Sequence, residues 1–164
     1  MRSLLICIIS LQFANSNDFI EAIYKFAYTD TTLAFTHKNV HFKCNVAGIK
    51  TVSNAISDPK INSHCLLELL TFQRKVPMQK YSAKTLLHNY ITYHVESIGK
   101  TSCKVLLNAG KSYAQKLLEL GYARVDTKQK LDPFYLEELK RSEVFAKTKE
   151  VGIWKKKKWQ TCLK

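Results

Sequence analysis

The sequence predicts an α+β domain: a small five-stranded barrel, mainly β at its core, carrying about three helices. Three observations lead there. Of 164 residues 46% are hydrophobic, and only 5 are Gly and 3 Pro, so the chain can bury a core and is neither fibrous nor low-complexity. Short apolar or alternating segments bounded by turn signals recur in two groups, and helical periodicity with capping residues fills the rest. The resulting order is strand, strand, strand, helix, strand, strand, helix, helix, with no internal repeat and no linker, so residues 17–164 read as one domain.

Each element has its own signal. Residues 19–27, with Phe19, Ile20, Ala22, Ile23, Tyr24 and Phe26, read as a strand or a short amphipathic piece. Residues 31–35 and 40–49 read as strands joined by the turn His37-Lys38-Asn39. Lys50 to Ser63 is polar and contains Pro59, which reads as loop. Cys65 to Phe72 is apolar enough for a short helix, and Pro77 breaks it. Residues 80–90 are helical with Leu86 and Leu87 inward, and Ile91, Tyr93 and Val95 alternate with polar neighbours as a strand does. Ser97 to Lys100 turns, residues 103–107 form the next strand, and Asn108 to Lys111 turns again. Ser112 caps a helix through Leu120 that Gly121 stops, and residues 122–125 are extended. Asp132-Pro133 is an N-cap followed by proline at the first helical position. That last helix runs to about Glu150 with Leu136, Leu139, Ala146 and Phe145 turned inward; residues 155–164 follow as a basic tail, its Trp159 exposed beside Lys155 to Lys158.

The N-terminus reads as a targeting segment. Met1-Arg2 is a short basic start, Ser3 to Phe13 is apolar, and Ala14-Asn15-Ser16 places small residues where a signal peptidase reads. Residues 1–16 are therefore expected to be a signal peptide, and the mature chain to be secreted or periplasmic. No apolar run reaches the roughly 18–20 residues of a membrane-spanning helix. After export Cys44, Cys65, Cys103 and Cys162 remain, an even number that suggests two disulfides in one of three connectivities. No C-x-x-C pair is present for a zinc site, and the five histidines show no ligand spacing.

Charge narrows the partner. Lys and Arg number 26 against 13 Asp and Glu, a net +13; without residues 1–16 the balance is +12 on 148 residues. Such an excess points to an anionic partner such as nucleic acid, an acidic surface or anionic lipid. Lys155 to Lys158 between two tryptophans could grip phosphate and stack on bases.

The second half resembles the staphylococcal nuclease (thermonuclease) family. Asn108-Ala109-Gly110-Lys111 followed by Leu117 to Val125 is similar to that family's "G-K-x-(few)-L-x-x-x-G-x-A-x-V" segment. Leu139 to Glu143, Ala146-Lys147 and Ile153-Trp154 resemble its last helix, with Trp154 as the family's core tryptophan. Lys43 to Ile49 resembles its third strand, so the likeness spans about residues 28–154. The resemblance implies a five-stranded OB-type barrel and calcium-dependent cleavage of DNA and RNA phosphodiesters. Relative to that pattern residues 53–79 are an insertion. It also implies the disulfide Cys44–Cys103, both being core positions on neighbouring strands, and with it Cys65–Cys162.

That chemistry requires carboxylates to hold a hard cation, another to activate water, and two arginines to grip phosphate. Carried over position by position, the first carboxylate falls on Asp30 and survives. The first arginine falls on Asn45, the second carboxylate on Lys50, the general-base glutamate on Ser53, and the second arginine on Lys100. Lysine cannot reproduce a bidentate arginine contact. A cation at Lys50 repels a calcium ion by several kcal/mol at about 4 Å, even at an effective dielectric near 20. The resemblance thus implies a degenerate member with no catalytic residue and no resident metal, Asp30 being the one weak ligand. It would bind nucleic acid or another polyanion through Lys50, Lys100 and Asn45. Two alternatives stand beside it: an active secreted nuclease that uses calcium, and an envelope module that holds a protein partner through the 53–79 insertion.

Overall fold

The computed structural model describes residues 19–77, 82–108 and 110–163; residues 1–16, read as the export signal, lie outside them. The strands are β1 (Phe19–Ala27), β2 (Thr32–His37), β3 (Val40–Val46), β4 (Ile49–Thr51), β5 (Thr92–Ser97), β6 (Ser102–Leu106) and β7 (Ala123–Val125). The α-helices are α1 (Val52–Ile56), α2 (Ser63–Lys75), α3 (Ser82–Leu86), α4 (Tyr113–Glu119), α5 (Pro133–Thr148) and α6 (Lys157–Cys162), with a 3-10 turn at Gly152–Lys155. Five strands close a barrel in the order β1-β2-β3-β6-β5, and β4 pairs with β7 outside it. The β3–β6 pairing is parallel, Asn45 opposite Ser102 and Val46 opposite Cys103; the other barrel pairings are antiparallel. The α+β five-stranded barrel expected from the sequence is the observed fold.

The period of two explains the barrel. Ala22 and Tyr24 of β1, Leu33 and Phe35 of β2, Cys44 and Val46 of β3, Tyr93 and Val95 of β5, and Cys103 and Val105 of β6 all point inward. Leu117 and Leu118 of α4 and Leu139 of α5 close that core. A second core joins α1, α2 and the chain end, where Val52, Leu69, Phe72, Ala146, Ile153, Trp154, Trp159 and Leu163 pack together.

Several expectations change. The stretch read as one strand over 40–49 is split at Gly48, whose φ of +81° turns β3 into β4. The polar stretch after Lys50 is not all loop: Thr51 caps α1, which buries Val52 and Ala55. The helix expected over 80–90 is confined, among described residues, to α3. Phe145 is exposed rather than inward; Ser142 and Glu143 take the buried positions, Glu143 accepting from the Val125 amide at 3.0 Å. Trp159 is buried, not exposed, and meets the edge of Phe72 at 5.1 Å between ring centroids. Residues 155–163 are therefore no loose tail: α6 packs on α2, and Cys162 bonds Cys65 across 5.0 Å between Cα atoms. Cys44 and Cys103 are likewise paired, 5.7 Å between Cα atoms. Gly121 and Gly152, with φ of +67° and +57°, let two backbones touch, and the Ile153 amide donates to the Gly121 carbonyl at 2.9 Å.

Candidate functional site

The turn from β1 into β2 carries Asp30. Thr29 Oγ1 accepts from the amides of Thr31 and Thr32 at 3.3 and 3.0 Å, which fixes the turn. Asp30 is buried, and its main-chain carbonyl accepts from the Tyr113 hydroxyl of α4 at 2.9 Å. Burial, reinforced by the nearby Asp30 charge, pushes the Tyr113 hydroxyl far above the ordinary tyrosine range, so it remains a protonated donor. Ser53 Oγ in the first turn of α1 donates to Asp30 Oδ2 at 2.6 Å, and Gln73 Nε2 of α2 lies 3.5 Å from Ser53 Oγ.

A polar lattice fixes α1 against this turn. The Asn54 amide donates to Thr51 Oγ1 at 3.2 Å, and Asn54 Oδ1 accepts from the Thr51 amide and hydroxyl at 3.1 and 2.7 Å. Asn54 Nδ2 then donates to Thr31 Oγ1 at 3.0 Å. This capping box, with asparagine in the reciprocal position, is what carries Ser53 to Asp30. Thr31, Asn54 and Tyr113 were not singled out in the sequence. The Thr51-x-x-Asn54 spacing ahead of an apolar pair was the available signal for Asn54, whereas Thr31 and Tyr113 join the cluster only through tertiary packing.

The remaining candidates lie around this cluster. Asn45 of β3 accepts at Oδ1 from the Thr32 hydroxyl at 3.0 Å, which leaves the Nδ2 group as what it can offer an anion. Its main-chain amide donates to the Thr101 carbonyl at 2.9 Å, so the turn holding Lys100 abuts Asn45. Lys100 is exposed there and lines a pocket of about 40 Å³ with Lys43, Phe42 and Ser102. Lys50 is half-buried in β4, directly opposite Arg124 of β7. Two cations facing across a ladder repel. Arg124 is offset by Glu143 at 3.9 Å and lies 5.8 Å from the Trp154 ring. The fold thus joins Asp30 to Ser53 directly and Asn45 to the Lys100 turn through the backbone. Lys50 is linked to the cluster through its neighbour Thr51.

Calcium does not fit this donor set. The ion takes six to eight oxygen ligands, several of them carboxylate. Asp30 brings one carboxylate, already accepting from Ser53, and Lys50 adds a cation three residues before Ser53. Among the described residues no group of three or more His, Cys, Asp or Glu could hold a metal ion.

Residues 64–156, more than half the chain, match the family model described as staphylococcal nuclease homologue. The chain belongs to the staphylococcal nuclease homologue family. No curated protein matches it. The match runs from α2 to the 3-10 turn and includes Lys100, whereas Asp30, Asn45, Lys50 and Ser53 precede it. Membership suggests a nuclease-type or nucleic-acid-binding function. The two disulfides are compatible with an extracellular or periplasmic protein, and among described residues no helix is long and apolar enough to cross a membrane.

Proposed function

We propose that this staphylococcal nuclease homologue is an exported binding protein that has lost phosphodiester hydrolysis and holds polyanions, nucleic acid first. The observation that carries the reading is Ser53. It stands where the family pattern has its general-base glutamate, and its hydroxyl is turned into Asp30 at 2.6 Å. A serine hydroxyl bonded to a carboxylate cannot take a proton from water as a glutamate does. Lys50, in the place of a second carboxylate, supplies the positive charge that a bound cation would otherwise bring to the phosphate. Asn45 and Lys100 supply weaker donors where bidentate arginines would grip it. The net charge of +13 supports a polyanionic ligand.

The experiment is plasmid digestion with and without Ca2+, beside fluorescence anisotropy with a labelled oligonucleotide in EDTA. The wild type is expected to bind in EDTA and to leave plasmid intact in Ca2+. The Ser53→Glu, Lys50→Asp double variant is expected to show the first cleavage. Cleavage by the wild type in Ca2+ at an ordinary enzymatic rate would replace this reading with an active nuclease. Absence of binding at low salt would favour a protein-interaction role.

A further inference from the structure

We propose that the outer face of α5 is a self-association surface, covered by a second copy of this chain lying antiparallel to it across a two-fold axis. Phe134 is 84% exposed, the most of any large hydrophobic residue among those described, and Val144 and Phe145 are 57% and 51% exposed. All three belong to one helix, whose other side carries the buried Tyr135, Leu139 and Ala146. Scattered exposed apolar residues are ordinary, but a row of them along one element marks a contact surface.

The spacing makes the row. Phe134, Glu138, Arg141 and Phe145 stand at i, i+4, i+7 and i+11, one stripe about 16 Å long, with Glu137 and Val144 along its border. Arg141 lies 3.6 Å from Glu137, and Glu138 lies 3.6 Å from Lys104. Such exposed pairs contribute little, so a partner can draw the same charges into its own contacts.

The stripe is complementary to itself. A two-fold contact lays one patch on its own copy. Antiparallel pairing centred between Glu138 and Arg141 sets Phe134 against the partner's Phe145 and Glu138 against the partner's Arg141. A shift of one residue keeps the match, because Glu137 then meets the arginine and Val144 meets the aromatic ring. Parallel pairing would set glutamate on glutamate and arginine on arginine, a costly juxtaposition.

Charge also selects the occupant. Within α5 three glutamates stand against three basic residues, a zero balance in a chain of net +13. A polyanion or an anionic lipid surface gains no attraction from this face, and two copies of a strongly basic chain repel each other least across it. A single helix-on-helix contact is smaller than a standard interface, so the association is weak, micromolar rather than nanomolar.

The test is sedimentation velocity on the full mature chain, freed of nucleic acid, from about 5 to 500 μM, a range that spans a weak interface. The variants are Phe134→Asp, Arg141→Glu, and Glu137→Lys combined with Glu138→Lys. An aspartate suits the first turn of a helix, so Phe134→Asp removes the ring without opposing α5. The wild type is expected to shift from monomer to dimer with concentration. Each variant alone is expected to raise the dissociation constant tenfold or more. An equimolar mixture of Arg141→Glu with the double-lysine variant should dimerise again, because every contact then joins opposite charges. A wild type that stays monomeric throughout the range overturns the proposal, as does a dimer that Phe134→Asp and Arg141→Glu both leave intact. Failure of the mixture to reassociate, with both proteins shown folded by circular dichroism melts, overturns the antiparallel pairing.

Discussion

Ser53 Oγ donates to Asp30 Oδ2 at 2.6 Å, which ties the first turn of α1 to the turn between β1 and β2. A bond to a charged acceptor at a buried site contributes about 1.5–3 kcal/mol. Ser53→Ala is therefore expected to lower the melting temperature, because Asp30 loses a donor and stays buried. It should leave any background phosphodiesterase signal where it was. A melting temperature equal to wild type would show that the bond is not held in solution.

Trp159 gives a second outcome. It is 2% exposed and lies edge-on to Phe72, while Trp154 faces the Lys147 ammonium at 4.6 Å. Iodide should quench neither tryptophan in the native protein, and Trp159→Ala should cost about 3–5 kcal/mol, as Trp154→Ala should. Strong quenching of one tryptophan, assigned by single Trp→Phe variants, would place that ring outside the core.

The Cys65–Cys162 bond joins α2 to α6 and closes a loop with a sequence separation of 97 residues. Replacing both cysteines by serine should destabilise the chain by about 2–5 kcal/mol. Non-reduced peptide mapping should recover Cys65–Cys162 and Cys44–Cys103; a Cys44–Cys65 peptide is the result that rejects this pairing.

The same joint carries a pH dependence. A hydrogen bond from Lys158 Nζ at 2.6 Å, outweighing partial burial, holds the Glu68 carboxyl below its ordinary value. The folded state thus binds the proton less readily than the unfolded state. Its stabilisation is present above the unfolded value, about 4.3, and fades as pH falls through the lower folded one. Glu68→Gln should melt below wild type at neutral pH, with the gap closing under about pH 4. A gap that persists at pH 3 would mean that packing, and not the ion pair, is what the substitution removes.

The barrel strands were legible because one-sided burial imposes a period of two: Tyr93 and Val95 alternate with Thr92 and His94 whatever else the chain does. The caps at Ser112 and Asp132 were legible because they are local; both accept from amides within three residues. Trp159 was not, since its burial depends on Phe72 far back along the chain, and four lysines before it read as a solvated end. Of the site, Asp30 and Ser53 were named separately, and their contact needs the β1–β2 hairpin and the Thr51 cap to form first. Lys50 was placed in a cleft with Lys100, whereas its nearest cross-strand neighbour is Arg124. Strand pairing outside the barrel has no sequence signal of its own. The exposure of Phe26 follows from a bulge that the alternation of β1 does not reveal.

Salt dependence separates the cluster around Asp30 and Lys50 from the chain end as the seat of affinity. Each lysine that neutralises a phosphate adds roughly 0.7–0.9 to the slope of log affinity against log salt. Lys50→Ala should therefore lower the slope by a little under one. Lys158 is bonded to Glu68 and Lys156 lies over the Trp159 ring at 5.1 Å, so changing them would disturb the α2–α6 joint as well as the charge. Lys155 and Lys157 are the informative pair, and replacing both with alanine tests α6 without touching those contacts. Measured by anisotropy in EDTA at several salt concentrations, a fall for Lys50→Ala places phosphate at the cluster around Asp30. A fall of about 1.5 for Lys155→Ala with Lys157→Ala, and none for Lys50→Ala, would move the binding surface to α6 and overturn the reading of Lys50 as a substitute for bound positive charge.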